Sequence, residues 1–135
     1  MKGVTFGNKH SYNDWGLILK SRPIITPPEP KTIYVNVPES DGVIDLTESL
    51  SGSVHFENRD IKCVFNVIDH RNRWSEIYEE ITRYLHGKRM NVVFDDDTKY
   101  YYTGRFKIDS WESQQKTATL TISGEVEPWK YDSND

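Results

Sequence analysis

From Lys116 to Glu127 the chain alternates strictly, with Ala118, Leu120, Ile122, Gly124 and Val126 on one side and mostly polar residues on the other. A period of two belongs to an extended strand with one face buried and one wet, and a helix cannot present it. The run ends in Glu127-Pro128-Trp129-Lys130-Tyr131. This pattern demands an antiparallel sheet packed on one face, and other segments repeat it. Tyr100, Tyr102, Gly104, Phe106 and Ile108 alternate against Lys99, Tyr101, Thr103, Arg105, Lys107 and Asp109, so the two runs read as a hairpin closed by Ser110 to Gln115. Ile61, Cys63, Phe65 and Val67 share a face, while Val64 and Ile68 on the other suggest a strand covered on both sides. Ile33, Val35 and Val37 oppose Thr32, Tyr34 and Asn36. Shorter candidates are Val4–Phe6, Trp15–Leu19, Val54–Phe56 and Val92–Phe94.

One segment has a different period. Trp74, Ile77, Tyr78, Ile81, Tyr84 and Leu85 fall at i, i+3, i+4, i+7, i+10 and i+11, a helical stripe, with Ser75, Glu76, Glu79, Glu80 and Arg83 on the solvent side. Asn72 suits the N-cap, Gly87 suits the left-handed position after the last turn, and Lys88 and Arg89 follow at the negative end of the helix dipole. These six apolar residues are expected to pack the helix on a sheet face or to close the open end of a barrel. The fold class is therefore mainly β, a sandwich or barrel-like arrangement of antiparallel sheets with one amphipathic helix.

A chain of 135 residues is one domain's worth, and roughly two-thirds of its unfolded surface can be buried without staples. The expected domain is residues 1–131, with 132–135 as a short polar tail. The single cysteine, Cys63, forms no internal disulfide, and Met1-Lys2-Gly3 opens no apolar leader, which together suggest synthesis in a reducing cytoplasm. Net charge is -4 without a basic block, which argues against nucleic-acid binding through phosphate neutralisation. Apolar runs fall far short of the roughly 20 residues that span a bilayer.

The segment from Arg22 to Pro30 holds Pro23, Pro27, Pro28 and Pro30, which remove backbone donors and favour extended, unpaired chain. Val37-Pro38-Glu39-Ser40-Asp41-Gly42-Val43 then supplies turn chemistry. Residues 31–46 thus form a hairpin on a stiff approach. It either lies on its own domain or reaches a neighbouring subunit. On the second reading Lys31, Ile33, Tyr34, Val35, Val37, Pro38, Asp41, Gly42, Ile44 and Leu46 form the subunit interface.

Candidate chemistry is sparse. His10, His55, His70 and His86 lie fifteen or more residues apart, without metal-ligand spacing, and read as surface histidines. Asp95-Asp96-Asp97 lacks the alternation of a calcium loop and reads as a solvated turn. Cys63 sits on an apolar row, where a thiol acts as a small hydrophobe. No nucleophile elbow, phosphate loop or dinucleotide pattern occurs. No cofactor and no enzymatic activity are expected. Eight Tyr and four Trp remain, and Tyr34, Tyr101 and Trp111 are expected to point outward. They suit contact with a sister subunit or stacking on sugar rings, the second being the reading of a carbohydrate-binding β-sandwich module.

In order, the chain carries Asn13-Asp14-Trp15-Gly16-Leu17, Pro27-Pro28-Glu29-Pro30, Val37 through Leu46, Arg59-Asp60-Ile61, Trp74, Leu85-His86-Gly87, Asp95-Asp96-Asp97, Tyr102-Thr103-Gly104-Arg105 and Pro128-Trp129-Lys130-Tyr131. Taken together, over nearly the whole chain, these landmarks resemble the N-terminal domain of the distal tail proteins of long-tailed bacteriophages, a family also encoded in prophages. The resemblance implies a tail-tube-like β domain with a protruding hairpin and a helix, residues 73–85, against the sheet. It implies a structural protein of the virion, made in the bacterial host cytoplasm. Copies would form a homo-oligomeric, hexameric ring joining the tail tube to the baseplate or tail-tip proteins, with DNA passing through the lumen unread and no membrane partner. Residues 31–46 would hold the arm that clasps the next subunit. Family members usually continue into a second domain beyond the position of Tyr131, whereas this sequence stops four residues later.

Overall fold

The protein is described from a computed structural model, which defines residues 2–39, 41–49, 52–67, 74–113 and 118–132. In chain order the strands are β1 (Val4–Phe6), β2 (Lys9–His10), β3 (Leu17–Leu19), β4 (Ile24–Ile25), β5 (Tyr34–Val35), β6 (Ile44–Asp45) and β7 (Arg59–Val67). The helix α1 (Trp74–Leu85) follows, then β8 (Lys88–Phe94), β9 (Tyr100–Ser113), β10 (Ala118–Val126) and β11 (Tyr131–Asp132). One antiparallel sheet runs β2-β1-β8-β9-β10-β7-β3, with β4 beside β7 and β11 beside β9, while β5 and β6 form a separate pair.

The large sheet is curled into a half-barrel. β1 and β7 are four strand steps apart, roughly 19 Å on a flat sheet, yet the Phe6 and Phe65 rings lie 6.4 Å apart. Phe6 also meets Phe106 edge-on at 5.6 Å and Trp15 at 6.1 Å. The core is the concave side, where Ile61, Cys63, Phe65 and Val67 from β7 face Leu120, Ile122 and Val126 from β10. Gly124 stands opposite Phe106, and a Cβ there would run into the Phe106 ring. The missing side chain is what lets that ring lie flat on the strand.

Helix α1 packs against β8 and β9, with Ile77, Ile81 and Leu85 buried in the same core. Tyr84 is half-buried; its hydroxyl donates to the Phe6 carbonyl at 2.9 Å and accepts the Asn8 N–H at 2.8 Å. Gly87 has φ +78° and donates its N–H to the Phe106 carbonyl at 2.7 Å, so the helix stop also fixes the first residue of β8. Lys88 and Arg89 belong to that strand, and the Lys88 ammonium still reaches back to the Arg83 carbonyl. Asn72, expected as the N-cap, Arg73, Ile68 and residues 114–117 lie outside the described residues, as does the Trp74 side chain.

Several expectations are corrected. The hairpin of β9 and β10 is longer than the alternation indicates, because β9 continues to Ser113 through a bulge: Ile122 faces Ile108 but Thr121 faces Ser110. The extra residue inverts the parity, so Trp111 stands on the face of Leu120 instead of pointing outward. There it is half-buried, edge-on to Tyr78 at 5.2 Å. β7 is not covered on both faces, since Asp60, Lys62 and Asn66 are exposed. Trp15 sits in a turn before β3, and Val54–Phe56 reduces to one bridge, Phe56 with Pro30. Strand pairing reaches Asp132, which stands opposite Tyr100.

Candidate assembly interface

The hairpin on its stiff approach is the part of the molecule whose side chains are not used by its own core. β5 and β6 pair antiparallel, Tyr34 with Asp45 and Val35 with Ile44. That register places Ile33, Val35, Ile44 and Leu46 on one face and Tyr34 and Asp45 on the other. The four apolar residues are 41%, 41%, 48% and 38% exposed, and Tyr34 is 57% exposed. Every residue from 31 to 36 and from 41 to 46 is exposed, with Val37 half-buried at the turn. Among the described residues of the turn, Glu39 at φ 68° and Gly42 at φ 71° are left-handed. Thr47 donates its N–H to the Asp45 carboxylate at 3.0 Å, as does its hydroxyl, and these bonds hold the Asp45 pKa below its ordinary value. Leu46 N–H donates to the Ile33 carbonyl at 2.7 Å, closing the ribbon.

The ribbon is longer than residues 31–46. Glu57 N–H donates to the Glu29 carbonyl and Lys31 N–H to the His55 carbonyl, each at 2.7 Å, so the base runs down to β4 and β7. Of this base the returning side, Val54–Phe56, was legible as extended chain, and the approaching side was not, because prolines interrupt it. An isolated two-stranded ribbon is marginal in water. One with an uncovered apolar face suits contact with a further surface.

The other expected features disperse. Tyr101 stacks on Tyr131 at 5.5 Å, Trp111 faces inward, and Tyr34 is on the ribbon, so no common sugar platform forms from these three. The helix-stripe residues Ile77, Ile81 and Leu85 are core, while Tyr78 is partly exposed beside Trp111. His10 is not a free surface histidine. Its Nε2 lies 2.8 Å from Asp95, and its Nδ1 accepts the N–H groups of Tyr12 and Asn13 at 3.1 Å each. Asp95 also accepts the Gly3 N–H at 2.7 Å, so the acidic turn clamps the start of the chain. Burial works against the Asp95 carboxylate, but the bonds from His10 and Gly3 prevail and its pKa is lowered. Burial pushes the Cys63 thiol up to about 12. His86 Nδ1 accepts the Ile108 N–H at 3.1 Å, and His70 is outside the described residues. Among the described residues no three His, Cys, Asp or Glu are grouped to hold a metal, and no helix is long and apolar enough to cross a membrane. A groove of about 550 Å³ on the outer sheet face carries mixed charge from Lys62, Arg105, Lys107, Asp60, Asp109 and Glu125.

Over 98% of its length the chain matches the SPP1 Dit protein (gp 19.1), described as a paradigm of the hub adsorption apparatus in phages infecting Gram-positive bacteria, with a TM-score of 0.75 and 12% identity. The chain has a Dit-like fold. It spans 52% of that Dit protein's length. Two further matches are looser and carry no argument: the virion of a native gene transfer agent particle (TM-score 0.46, 13% identity, 93% of both chains) and the tail of an empty gene transfer agent particle with C6 symmetry (TM-score 0.41, 14% identity, 85% of this chain and 81% of that one). No protein-family model matches the sequence, and no curated protein matches it. At 12% identity the Dit likeness speaks of fold, and the ribbon's chemistry speaks for itself.

Proposed function

We propose that this protein is a structural component of a phage or prophage tail that works by self-assembly into a ring, with six copies expected, at the tail tip. The ring would join the tail tube to the adsorption apparatus of the virion. The observation that carries this reading is the uncovered apolar face of Ile33, Val35, Ile44 and Leu46 on a ribbon of a Dit-like fold. A ring is the closed form of a head-to-tail contact, which needs one donor surface and one acceptor surface per copy. The ribbon is the donor surface. Covering its four apolar side chains contributes on the order of 1 kcal/mol each, and the remainder of the contact has to come from the body, since a specific interface buries at least about 1,000 Å². The residues assigned to the contact are Lys31, Ile33, Tyr34, Val35, Val37, Pro38, Asp41, Gly42, Ile44 and Leu46. Passage of DNA through the lumen involves no sequence reading, in keeping with the acidic net charge.

Sedimentation velocity across a concentration series, with negative-stain micrographs of the same samples, tests the proposal. A species of about six copies that appears as a ring supports it. A monomer at the highest concentration attained, with no rings on the grid, overturns it.

A further inference from the structure

The ribbon's direction depends on how its base is held, and the base touches the C-terminal segment. β10 ends with Val126 opposite Gly104, Glu127 donates its N–H to the Thr103 carbonyl, and β11 resumes with Tyr131 opposite Tyr101. Five steps along this side therefore match three along β9. The two surplus residues bulge out at Pro128 and Trp129, where proline has no N–H to lose from the ladder. The bulge carries Trp129 edge-on to Phe56, the ribbon residue bridged to Pro30, at 5.2 Å. Arg59 ties the same places together, donating Nε–H to the Thr26 carbonyl at 2.9 Å and an Nη1–H to the Pro128 carbonyl at 3.4 Å.

We propose that residues 127–132 are a strap that braces the ribbon, so that the ribbon's angle is set by the C-terminal segment and not by its own short strands. The strap is fastened firmly at its far side. Tyr131 stacks on Tyr101, and Lys130 pairs with Asp97 at 2.6 Å while lying over the Tyr100 ring at 4.5 Å. A force on the strap is thus passed to the body through Lys130 and Tyr131 and to the ribbon base through Trp129 and Pro128. Trp129 is 58% exposed, more than a core role would leave it, and it is a positioning residue for the ribbon. Anything that lifts β11 from β9 would free the ribbon.

The inference stands apart from ring assembly, because it can be read on a single copy. Amide hydrogen exchange of Lys31 and Glu57, whose N–H groups close the base, reports the brace directly. Trp129→Ala should speed exchange at these two amides roughly three- to tenfold, the size of one aromatic contact, while Phe65 and Leu120 in the core stay protected. Trp129→Phe should restore the base, since it keeps a ring against Phe56. Unchanged exchange at Lys31 and Glu57 in Trp129→Ala overturns the strap. Equal loss of protection at the core overturns it too, because Trp129 would then be a general stabiliser. In either of those cases the ring proposal is untouched, since it is judged by sedimentation of the unaltered chain.

Discussion

The curled sheet and the ribbon are both made of β-prone sequence, yet they spend it in opposite ways. In the sheet, Leu120, Ile122 and Val126 are buried in a core they share with the helix and with strands distant in sequence. In the ribbon, Ile33, Val35, Ile44 and Leu46 share a face just as regular and remain exposed. The first region is stabilised by its own contacts. The second holds its shape by local hydrogen bonds, by the Asp45–Thr47 turn and by the brace at its base. Apolar alternation therefore marks a surface that wants covering, and does not say whether the cover is the same molecule.

The comparison can be broken most forcefully in the core. Phe6→Ala removes the ring that joins β1 to Phe65, Phe106 and Trp15, and should cost about 3–5 kcal/mol in denaturant unfolding. A much smaller loss would mean that the half-barrel is not closed by aromatic contact. Gly124→Ala is next, at about 1–3 kcal/mol, because the added methyl meets the Phe106 ring. Its sign is informative: at an unconstrained strand position, replacing glycine by alanine would stabilise. A rise in melting temperature would refute the close approach at this pair.

Acid sensitivity sharpens the contrast in a smaller way. The folded pKa of Asp95 is depressed, so its bonds to His10 and Gly3 contribute stability above the unfolded value of about 3.9, and this is lost as pH falls through the lower folded value. Asp95→Asn should lower stability at pH 7 and flatten the fall in stability below about pH 4. Equal slopes in the two proteins would show that the clamp does not titrate with folding. The smallest effect on stability belongs to the ribbon. Val35→Ser combined with Ile44→Asp should change unfolding by no more than about 0.5 kcal/mol, while abolishing assembly in sedimentation. A large loss of stability would instead show that this face is covered within its own chain.

Much of the sheet was legible because strand rows repeat locally. The buried row of β10, that of β7 and the helix stripe need no knowledge of neighbours, and Gly87 announced the helix stop through its backbone freedom. Trp111 was misread for a physical reason: the bulge in β9 shifts parity by one residue, and no residue type signals where that happens. His10 and Asp95 were read apart, as a surface histidine and a solvated turn, because 85 residues separate them and their meeting depends on β1 lying beside β8. The ribbon's residues were legible as a hairpin. Its base was legible on one side alone: Val54–Phe56 reads as extended chain, while the prolines up to Pro30 hide the segment it bridges.

By itself the sequence determined the period of each segment, the helix and its end, the proline-stiffened approach and the absence of any local catalytic pattern. These follow from covalent geometry and side-chain chemistry over a few residues. Tertiary structure decided the rest: that the sheet curls until Phe6 reaches Phe65, that Trp129 is pushed out to meet the ribbon, and that one apolar face is left bare. Each of these depends on which distant strands pair and in what register, a choice made by packing the whole chain at once.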